Sequence, residues 1–175
     1  MDSFKPLAVG IPYPAIDGIE KNTALGVAVG ASYAGKHSEL TAVLQYIYHS
    51  LYFENAGDKK TADLLKRIAV SEMTHIEILA ETIKALGIDP QYGVYTPFGI
   101  DYYKASDVAY SNTIETMLLD DILGEMMAIK GYKDLLNKIT DEKVIAIIKR
   151  IILDEELHLS ALKERQKQRN EGFCF

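Results

Sequence analysis

Cysteine is almost absent from the sequence: Cys174, near the carboxyl end, is the only one among 175 residues. A single thiol cannot form an intramolecular disulfide, and it cannot supply the ligands of an iron–sulfur or rubredoxin-type centre. A chain of this length is expected to form one domain that buries a sizeable core without disulfides. Cysteine-based metal chemistry is therefore excluded.

Long apolar runs and clustered positive charge are also missing. No stretch reaches the ~18 consecutive apolar residues that a membrane span needs, and the amino terminus does not have the pattern of a secretory signal. A cytoplasmic location is therefore expected, without a membrane partner. The formal net charge of -6, with no basic stripe, argues against a nucleic-acid partner and favours small molecules or protein subunits.

Apolar side chains that recur every three or four residues predict four amphipathic helices, A to D. The sequence thus predicts an all-α fold, a four-helix bundle with one long crossover connection between helices B and C. Thr140 is the expected N-cap of helix D. Helix A is expected to begin between Asn22 and Ser32 and to end at about Asn55. The expected spans of the others are Asp58 to about Leu86 for helix B, about Ser111 to Leu136 for helix C, and about Asp141 to Gln168 for helix D.

The segments outside the helices have a composition of their own. Residues 87–110, rich in proline, glycine and tyrosine, form the expected crossover, whose aromatic residues cover one end or side of the bundle or serve as an interaction surface. Residues 1–21 are expected to form an extended arm that packs on the bundle or on a neighbouring subunit, with disorder as the alternative. The bundle domain is then 22–169, and 170–175 is a short tail. The apolar residues that favour packing of the arm are Phe4, Leu7, Val9, Ile11 and Tyr13.

Two segments of the helices carry a Glu followed three residues later by a His. They are Glu72 with His75 in helix B, and Glu155 with His158 in helix D. A spacing of three places both side chains on one face of a helix, one turn apart, where a carboxylate oxygen and an imidazole nitrogen can converge on one ion. One such pair is a common accident, but two in one helical chain predict a dinuclear metal site.

Helices A and C each add a single Glu to the pattern. Glu39 is followed seven residues later by Tyr46, and Glu125 seven residues later by Tyr132, so the two halves of the chain repeat one arrangement. All of these residues lie on the stripes that face the core. The four stripes are Glu39, Val43, Tyr46, Ser50 and Phe53; Leu65, Ile68, Glu72, His75 and Leu79; Leu118, Ile122, Glu125, Ile129, Tyr132 and Leu136; and Val144, Ile148, Ile151, Glu155, His158 and Leu162.

Four carboxylates on apolar stripes would lose hydration and lie near one another, and each uncompensated buried charge costs several kcal/mol. Two divalent cations would offset them, and the two imidazoles would complete the coordination. Ligands of this mixture suit iron or manganese better than zinc. The sequence therefore predicts two iron or two manganese ions, with Glu39, Glu72, His75, Glu125, Glu155 and His158 as ligands.

Other polar residues near the stripes have two interpretations. Tyr46 and Tyr132 are candidate catalytic residues, and the alternative is that they fill the core while the hydroxyl finds a partner. Asp121 and Asp154 flank the ligand positions and could accept a hydrogen bond from a ligand histidine. His37 and His49 fall off the stripes and are expected to be ordinary surface or interhelix histidines.

Five segments of the chain resemble the ferritin-like superfamily, in its rubrerythrin and manganese-catalase branch, including small spore-coat catalase-like relatives. The resemblance implies that Glu39 and Glu125 are metal ligands and that the two Glu-x-x-His helices complete the site. Rubrerythrins proper add a cysteine-bound iron domain, which this chain lacks. The segments are KPLAVGIPYP, SELTAVLQYIYHS, SEMTHIEIL, ILGEMMAIKGYKDLL and DEELHLSAL.

These observations favour an oxidoreductase with a dinuclear centre that acts on hydrogen peroxide or dioxygen, in a catalase-like or peroxidase-like reaction. Glu72 and Glu155 are expected to bridge the ions, Glu39 and Glu125 to be terminal or bridging ligands, and an external protein could donate electrons. Ferritin-type iron oxidation and storage is the alternative. A structural bundle that keeps the metals only as a staple is a third hypothesis. A homo-oligomer is expected.

Overall fold

Four long helices form two hairpins that pack into one bundle. In the computed structural model, which describes residues 5–172, α2 (Glu39–Asn55) packs on α3 (Lys59–Ala85), and α4 (Ile114–Leu136) packs on α5 (Glu142–Gly172). The hairpins meet where α2 contacts α4 and α3 contacts α5. The predicted four-helix bundle with a long connection between its second and third helices is confirmed.

The predicted helix A is wrong as a single element. It consists of α1 (Thr23–Ala34) and α2, separated by four residues. The chain breaks there because Gly35 ends α1, its N–H bonding to the Ala31 carbonyl, while the Ser38 side chain caps α2 by accepting from the Thr41 N–H. α1 lies beside the bundle and packs mainly on α3 and on the crossover segment.

Glycines follow the ends of two helices of the bundle, and aspartates cap the starts of two. Gly57 and Gly87 follow α2 and α3 with φ of 81° and 91°, in the left-handed region that favours glycine. Asp58, where helix B was expected to begin, caps α3, since its side chain accepts from the Thr61 N–H. The N-cap of α5 is Asp141 and not the predicted Thr140, because the Asp141 carboxylate accepts from the Val144 N–H at 2.9 Å.

The core has two apolar clusters with a polar layer between them. Along α3, Leu65 and Ile68 belong to one cluster and Leu79 and Ile83 to the other, with the Glu-x-x-His pair in between. α5 crosses the same layers in the opposite order. The predicted stripes are buried throughout, except that Leu136 is half-buried. The helix period therefore predicted correctly which face of each helix forms the core.

The crossover contains a small hairpin that was not predicted. β1 (Gly93–Thr96) pairs antiparallel with β2 (Gly99–Tyr102), and the short 3-10 helix Ala105–Asp107 follows. Tyr92 stacks on Tyr33 of α1 with ring centroids 5.6 Å apart, so part of this segment does cover the side of the molecule. Phe98, at the tip of the hairpin, is fully exposed.

The two ends of the chain differ in their contacts. The arm runs along α3 and α5, where the Leu7 N–H bonds to the Arg67 carbonyl at 3.2 Å. The last helix continues to Gly172, beyond the predicted end at Gln168. Phe4, which is expected to pack with the arm, and Cys174, in the expected tail, lie outside the described residues. Between residues 5 and 172, no helix has both the length and the apolar character that crossing a membrane requires.

Candidate metal centre

All six predicted ligand residues meet in the polar layer. Glu39 comes from α2, Glu125 from α4, and each Glu-x-x-His pair from α3 or α5; none of the six is more than 2% exposed. They form two overlapping groups in which the donor atoms lie within 4.8 Å of one another. The groups are Glu39, Glu72, His75 and Glu155, and Glu72, Glu125, Glu155 and His158. Glu72 and Glu155 are thus common to both.

The two histidines point the same ring nitrogen at the carboxylates. Nδ1 of His75 lies 2.7 Å from Glu72 Oε2, 3.1 Å from Glu155 Oε1 and 3.6 Å from Glu39 Oε2. Nδ1 of His158 lies 2.8 Å from Glu72 Oε1 and 3.6 Å from Glu125 Oε1. Each Glu-x-x-His pair therefore supplies one nitrogen donor to a different end of the cluster.

Several atoms of the cluster that could bind a metal are buried without a hydrogen bond. They include Glu125 Oε2, Glu155 Oε1 and His158 Nδ1. Glu72 Oε1 is also without one, since its approach to His158 Nδ1 lacks hydrogen-bond geometry. A buried polar atom without a partner is costly. Lone pairs that converge in this way fit a pair of metal ions.

The charges of the cluster also fit cations. Burial and the neighbouring Glu72 raise the pKa of Glu39 to about 8. Burial together with Glu72 and Glu39 also raises the pKa of Glu155 to about 8. Burial and Glu155 raise the pKa of Glu125 well above its ordinary value. Without a cation, these carboxyl groups hold protons in place of a metal.

In contrast, Glu72 and the two histidines favour their charged forms. Burial alone would raise the pKa of Glu72, but His158 and His75 outweigh it and hold that pKa well below the ordinary value. Burial disfavours the charged imidazoles, yet Glu72 outweighs this and raises the pKa of both histidines. Glu72 is thus the carboxylate that stays ionised at the centre of the cluster.

The two tyrosines cross between the halves of the bundle. The Tyr46 hydroxyl, from α2, donates to Glu125 on α4, and the Tyr132 hydroxyl, from α4, donates to Glu39 on α2. Burial and the adjacent glutamate raise the pKa of each tyrosine well above 10, so both stay protonated. Their rings also belong to the two apolar clusters. The tyrosines therefore fill the core and orient the single glutamates, while their catalytic role stays a prediction.

Asp154 is the predicted acceptor of a histidine hydrogen bond, and it lies 3.2 Å from His75 Nε2. Burial would raise the pKa of Asp154, but hydrogen bonds from His75, Tyr13, Val9 and Arg150 outweigh it and lower that pKa to about 2. Nε2 of His158 instead donates to the Leu7 carbonyl at 2.7 Å. A backbone carbonyl has no signature in the sequence, so this partner could not be predicted.

The prediction for Asp121 is wrong, because its carboxylate serves His49. Asp121 Oδ1 lies 2.8 Å from His49 Nδ1 and accepts from Gln45 at 2.9 Å. Nε2 of His49 donates to the Ala109 carbonyl of the crossover at 2.8 Å. His49 is fully buried and is an interhelix histidine, whereas His37 is exposed. The pair ties α2 and α4 to the end of the crossover.

A cavity of about 260 Å³ between α2 and α4 reaches the cluster. Its inner wall includes Glu39, Glu125 and Glu155, and its outer end includes the exposed residues Lys36 and His37. A water molecule occupies ~30 Å³ in the liquid, so the cavity holds several small molecules. Three of the four carboxylates are therefore open to small ligands on this side of the bundle.

A four-helix bundle with one long crossover, and with paired Glu-x-x-His helices around a buried carboxylate cluster, defines the ferritin-like class of proteins. The ferritin-like domain family matches residues 37–170, and the chain belongs to this family. The proteins that the chain is similar to include manganese catalases, by sequence and by structure.

The relatives are similar over most of their length. A probable manganese catalase from Clostridium acetobutylicum is 29% identical over 171 residues, which cover 87% of this chain and 75% of that protein. The crystal structure of KatB, a manganese catalase from Anabaena, has a TM-score of 0.80 at 22% identity and covers 93% of this chain and 80% of KatB. Bacterioferritin from Rhodobacter capsulatus has a TM-score of 0.70 at 21% identity, covering 87% of this chain and 89% of its own. The structural matches show the fold.

Proposed function

We propose that the protein is a dimetal-carboxylate oxidoreductase that binds two manganese or two iron ions and acts on hydrogen peroxide or dioxygen. The observation that carries the proposal is the pair of overlapping four-residue groups with shared glutamates. Catalase-like disproportionation of peroxide is the favoured reaction, because the relatives are named manganese catalases. It also needs no outside reductant, which agrees with a sequence that has one cysteine. An external electron donor would be needed only for a peroxidase-like reaction.

The geometry supports a role for each ligand. Glu72 and Glu155 belong to both groups and would bridge the ions, which favours Glu39 and Glu125 as terminal ligands. His75 and His158 would each supply Nδ1 to one ion. Two such ions can each change oxidation state by one electron, which together matches the two-electron chemistry of peroxide.

The chain's own groups would control access and protons. Substrate would approach through the cavity on the side of α2 and α4, because Glu39, Glu125 and Glu155 line its inner wall. Tyr46 lines the same cavity, so its hydroxyl could hold or release a proton at the site. Tyr132 is packed in the other apolar cluster, and we propose that it positions Glu39.

The proposal is tested first by elemental analysis of the native protein and then by peroxide decay and oxygen evolution. Two metal equivalents per chain and turnover without a reductant are expected under manganese or iron loading. Glu72→Gln should lose metal and activity, while Glu77→Gln, on the exposed side of the same helix, should keep both. A metal-replete protein with no peroxide or dioxygen reactivity under either metal would overturn the proposal.

Iron oxidation for storage is the second candidate, because carboxylate-rich sites also bind Fe²⁺ and the fold is shared with bacterioferritin. Storage needs a hollow shell of many subunits. A mass of about twenty-four subunits with a mineral core would support storage, whereas a dimer to hexamer would support the enzyme. If metal removal lowers stability and neither reaction occurs, the metals act only as a structural staple.

A further inference from the structure

Both histidines of the candidate metal centre reach the N-terminal arm on the side away from the cluster. His158 does so directly, since its Nε2 donates to the Leu7 carbonyl at 2.7 Å. A carbonyl oxygen can only accept, so Nε2 carries the proton and Nδ1 is the nitrogen left for a metal. The arm thereby selects the tautomer of His158.

His75 reaches the arm through Asp154. Nε2 of His75 lies 3.2 Å from Asp154 Oδ2, and the same oxygen accepts from the Tyr13 hydroxyl at 2.5 Å. Asp154 Oδ1 accepts from the Val9 N–H at 2.7 Å. Two arm residues thus fix the carboxylate that orients His75, and the arm contributes to the orientation of both imidazoles.

The arm is held against the bundle by one buried cation. Nε of Arg150 donates to the Ile11 carbonyl at 2.7 Å and Nη2 donates to the Val9 carbonyl at 3.0 Å. The guanidinium also lies 4.1 Å from the centre of the Tyr13 ring, and Arg150 is only 5% exposed. These contacts hold residues 9–13 against α5, where the Val9 N–H and the Tyr13 hydroxyl bond to Asp154.

Groups that hydrogen-bond a ligand histidine from outside orient it and strengthen its bond to the metal. We propose, on the basis of the proposed dimetal function, that arm residues 5–13 are part of the metal centre, so that docking of the arm and binding of the metals strengthen each other. Coupling of this kind is reciprocal: a docked arm raises metal affinity by the same factor by which bound metal stabilises the docked arm.

The first test measures the affinity of the metal-free, full-length protein for Mn²⁺, from the electron paramagnetic resonance signal of the free ion. Tyr13→Phe removes the hydroxyl and keeps the ring beside Arg150, and it should weaken Mn²⁺ binding roughly 3- to 30-fold. Tyr33→Phe is the matched control, because Tyr33 is 3% exposed and its hydroxyl donates to the Pro90 carbonyl, outside the arm and the centre. The control should change the affinity by less than about twofold.

The second test measures hydrogen exchange of the arm amides with and without saturating Mn²⁺. Exchange at Leu7 and Val9 should slow in the metal-bound wild type by roughly the same 3- to 30-fold factor. Arg150→Lys keeps a positive charge beside Asp154 but loses the pair of donors to the arm, so it should speed this exchange and weaken Mn²⁺ binding as well. These readouts do not depend on peroxide turnover.

Unchanged or tighter Mn²⁺ binding in Tyr13→Phe, or arm exchange that ignores Mn²⁺, would overturn the inference and leave the proposed function intact. Mn²⁺ binding with the expected coupling but without peroxide or dioxygen turnover would overturn the proposed function alone. A wild-type protein that binds no Mn²⁺ overturns the coupling to this metal, and one that also binds no iron overturns both proposals.

Discussion

At the scale of residues, the buried carboxyl groups link metal binding to pH. Glu39 and Glu155 have a pKa of about 8 in the folded protein without metal, against about 4.5 in an unfolded chain. Between these values the folded state binds more protons than the unfolded state. The stability of the metal-free protein should therefore be highest at the acidic end of this window and fall as pH rises towards 8.

Urea unfolding of metal-free protein at pH values from 5 to 8 checks this expectation. The free energy of unfolding should fall by a few kcal/mol over this range. The raised pKa values of His75 and His158 act in the same direction. Metal-loaded protein is the control, because bound cations keep the carboxylates ionised and should remove most of the slope. Stability that rises with pH in the metal-free protein would contradict the expectation.

The tyrosines give a second prediction at this scale. Tyr46→Phe should lower peroxide turnover by roughly tenfold or more, because Tyr46 lines the cavity and can take part in proton transfer. Tyr132→Phe should lower it less and mainly reduce stability, by about 1–2 kcal/mol for a lost hydrogen bond to a carboxylate. Turnover numbers and unfolding curves of both variants, with Tyr33→Phe for comparison, separate the roles. Equal losses of turnover in Tyr46→Phe and Tyr132→Phe would contradict these separate roles.

At the scale of elements, Asp58 joins the start of α3 to the end of α5. It caps α3 and forms ion pairs with Arg165, at 2.7 Å, and with Arg169. Burial would raise its pKa, but bonds from Thr61, Arg165 and Arg169 outweigh this and lower the pKa to about 2. The stabilisation by Asp58 is therefore complete above its unfolded pKa, near 4, and is lost as pH falls towards 2.

Asp58→Ala should accordingly destabilise the protein by about 2 kcal/mol or more at pH 7, and by much less near pH 2. Chemical unfolding at both pH values measures the difference. Asp134→Asn removes an exposed ion pair with Lys130 on α4 and should cost less than about 0.5 kcal/mol. If Asp58→Ala destabilised the protein as little as this control does, the contacts of Asp58 with α5 would contribute nothing to stability.

The elements also show what the sequence could and could not predict. The helix period and the Glu-x-x-His spacing placed all six cluster residues in one buried layer, because a helix of fixed pitch converts spacing into direction. The break at Gly35 was missed although the sequence marks it, since Gly35 ends α1 and Ser38, three residues later, caps α2. The β1–β2 hairpin depends on pairing between short strands, and the hydrogen-bond partners of Asp121 and His158 depend on contacts distant in sequence. Such partners are set by tertiary packing.

At the scale of the whole molecule, the neighbouring helices α2 and α4 carry exposed apolar stripes. They are Leu44, Ile47 and Leu51, and Leu119, Leu123 and Met126, each 38% to 55% exposed. Exposed apolar surface of this extent marks an interface, and we expect a second copy of this chain to cover it. The protein should therefore be a dimer or a larger assembly.

Light scattering coupled to size exclusion checks this expectation. Ile47→Glu combined with Leu123→Glu should reduce the mass to a smaller species, while Met73→Glu, at an exposed apolar position of α3, should leave it unchanged. A monomeric wild type would contradict the expectation.

The polar layer between the two apolar clusters has a consequence for cooperativity. Leu65 and Ile68 lie on one side of it and Ile148 and Ile151 on the other, so the two clusters are joined through the ligand residues of the centre. Metal ions held from four helices would couple the two halves of the interior into one unit. In their absence, each half can open separately, and the bundle would behave as two smaller folding units that share the same helices.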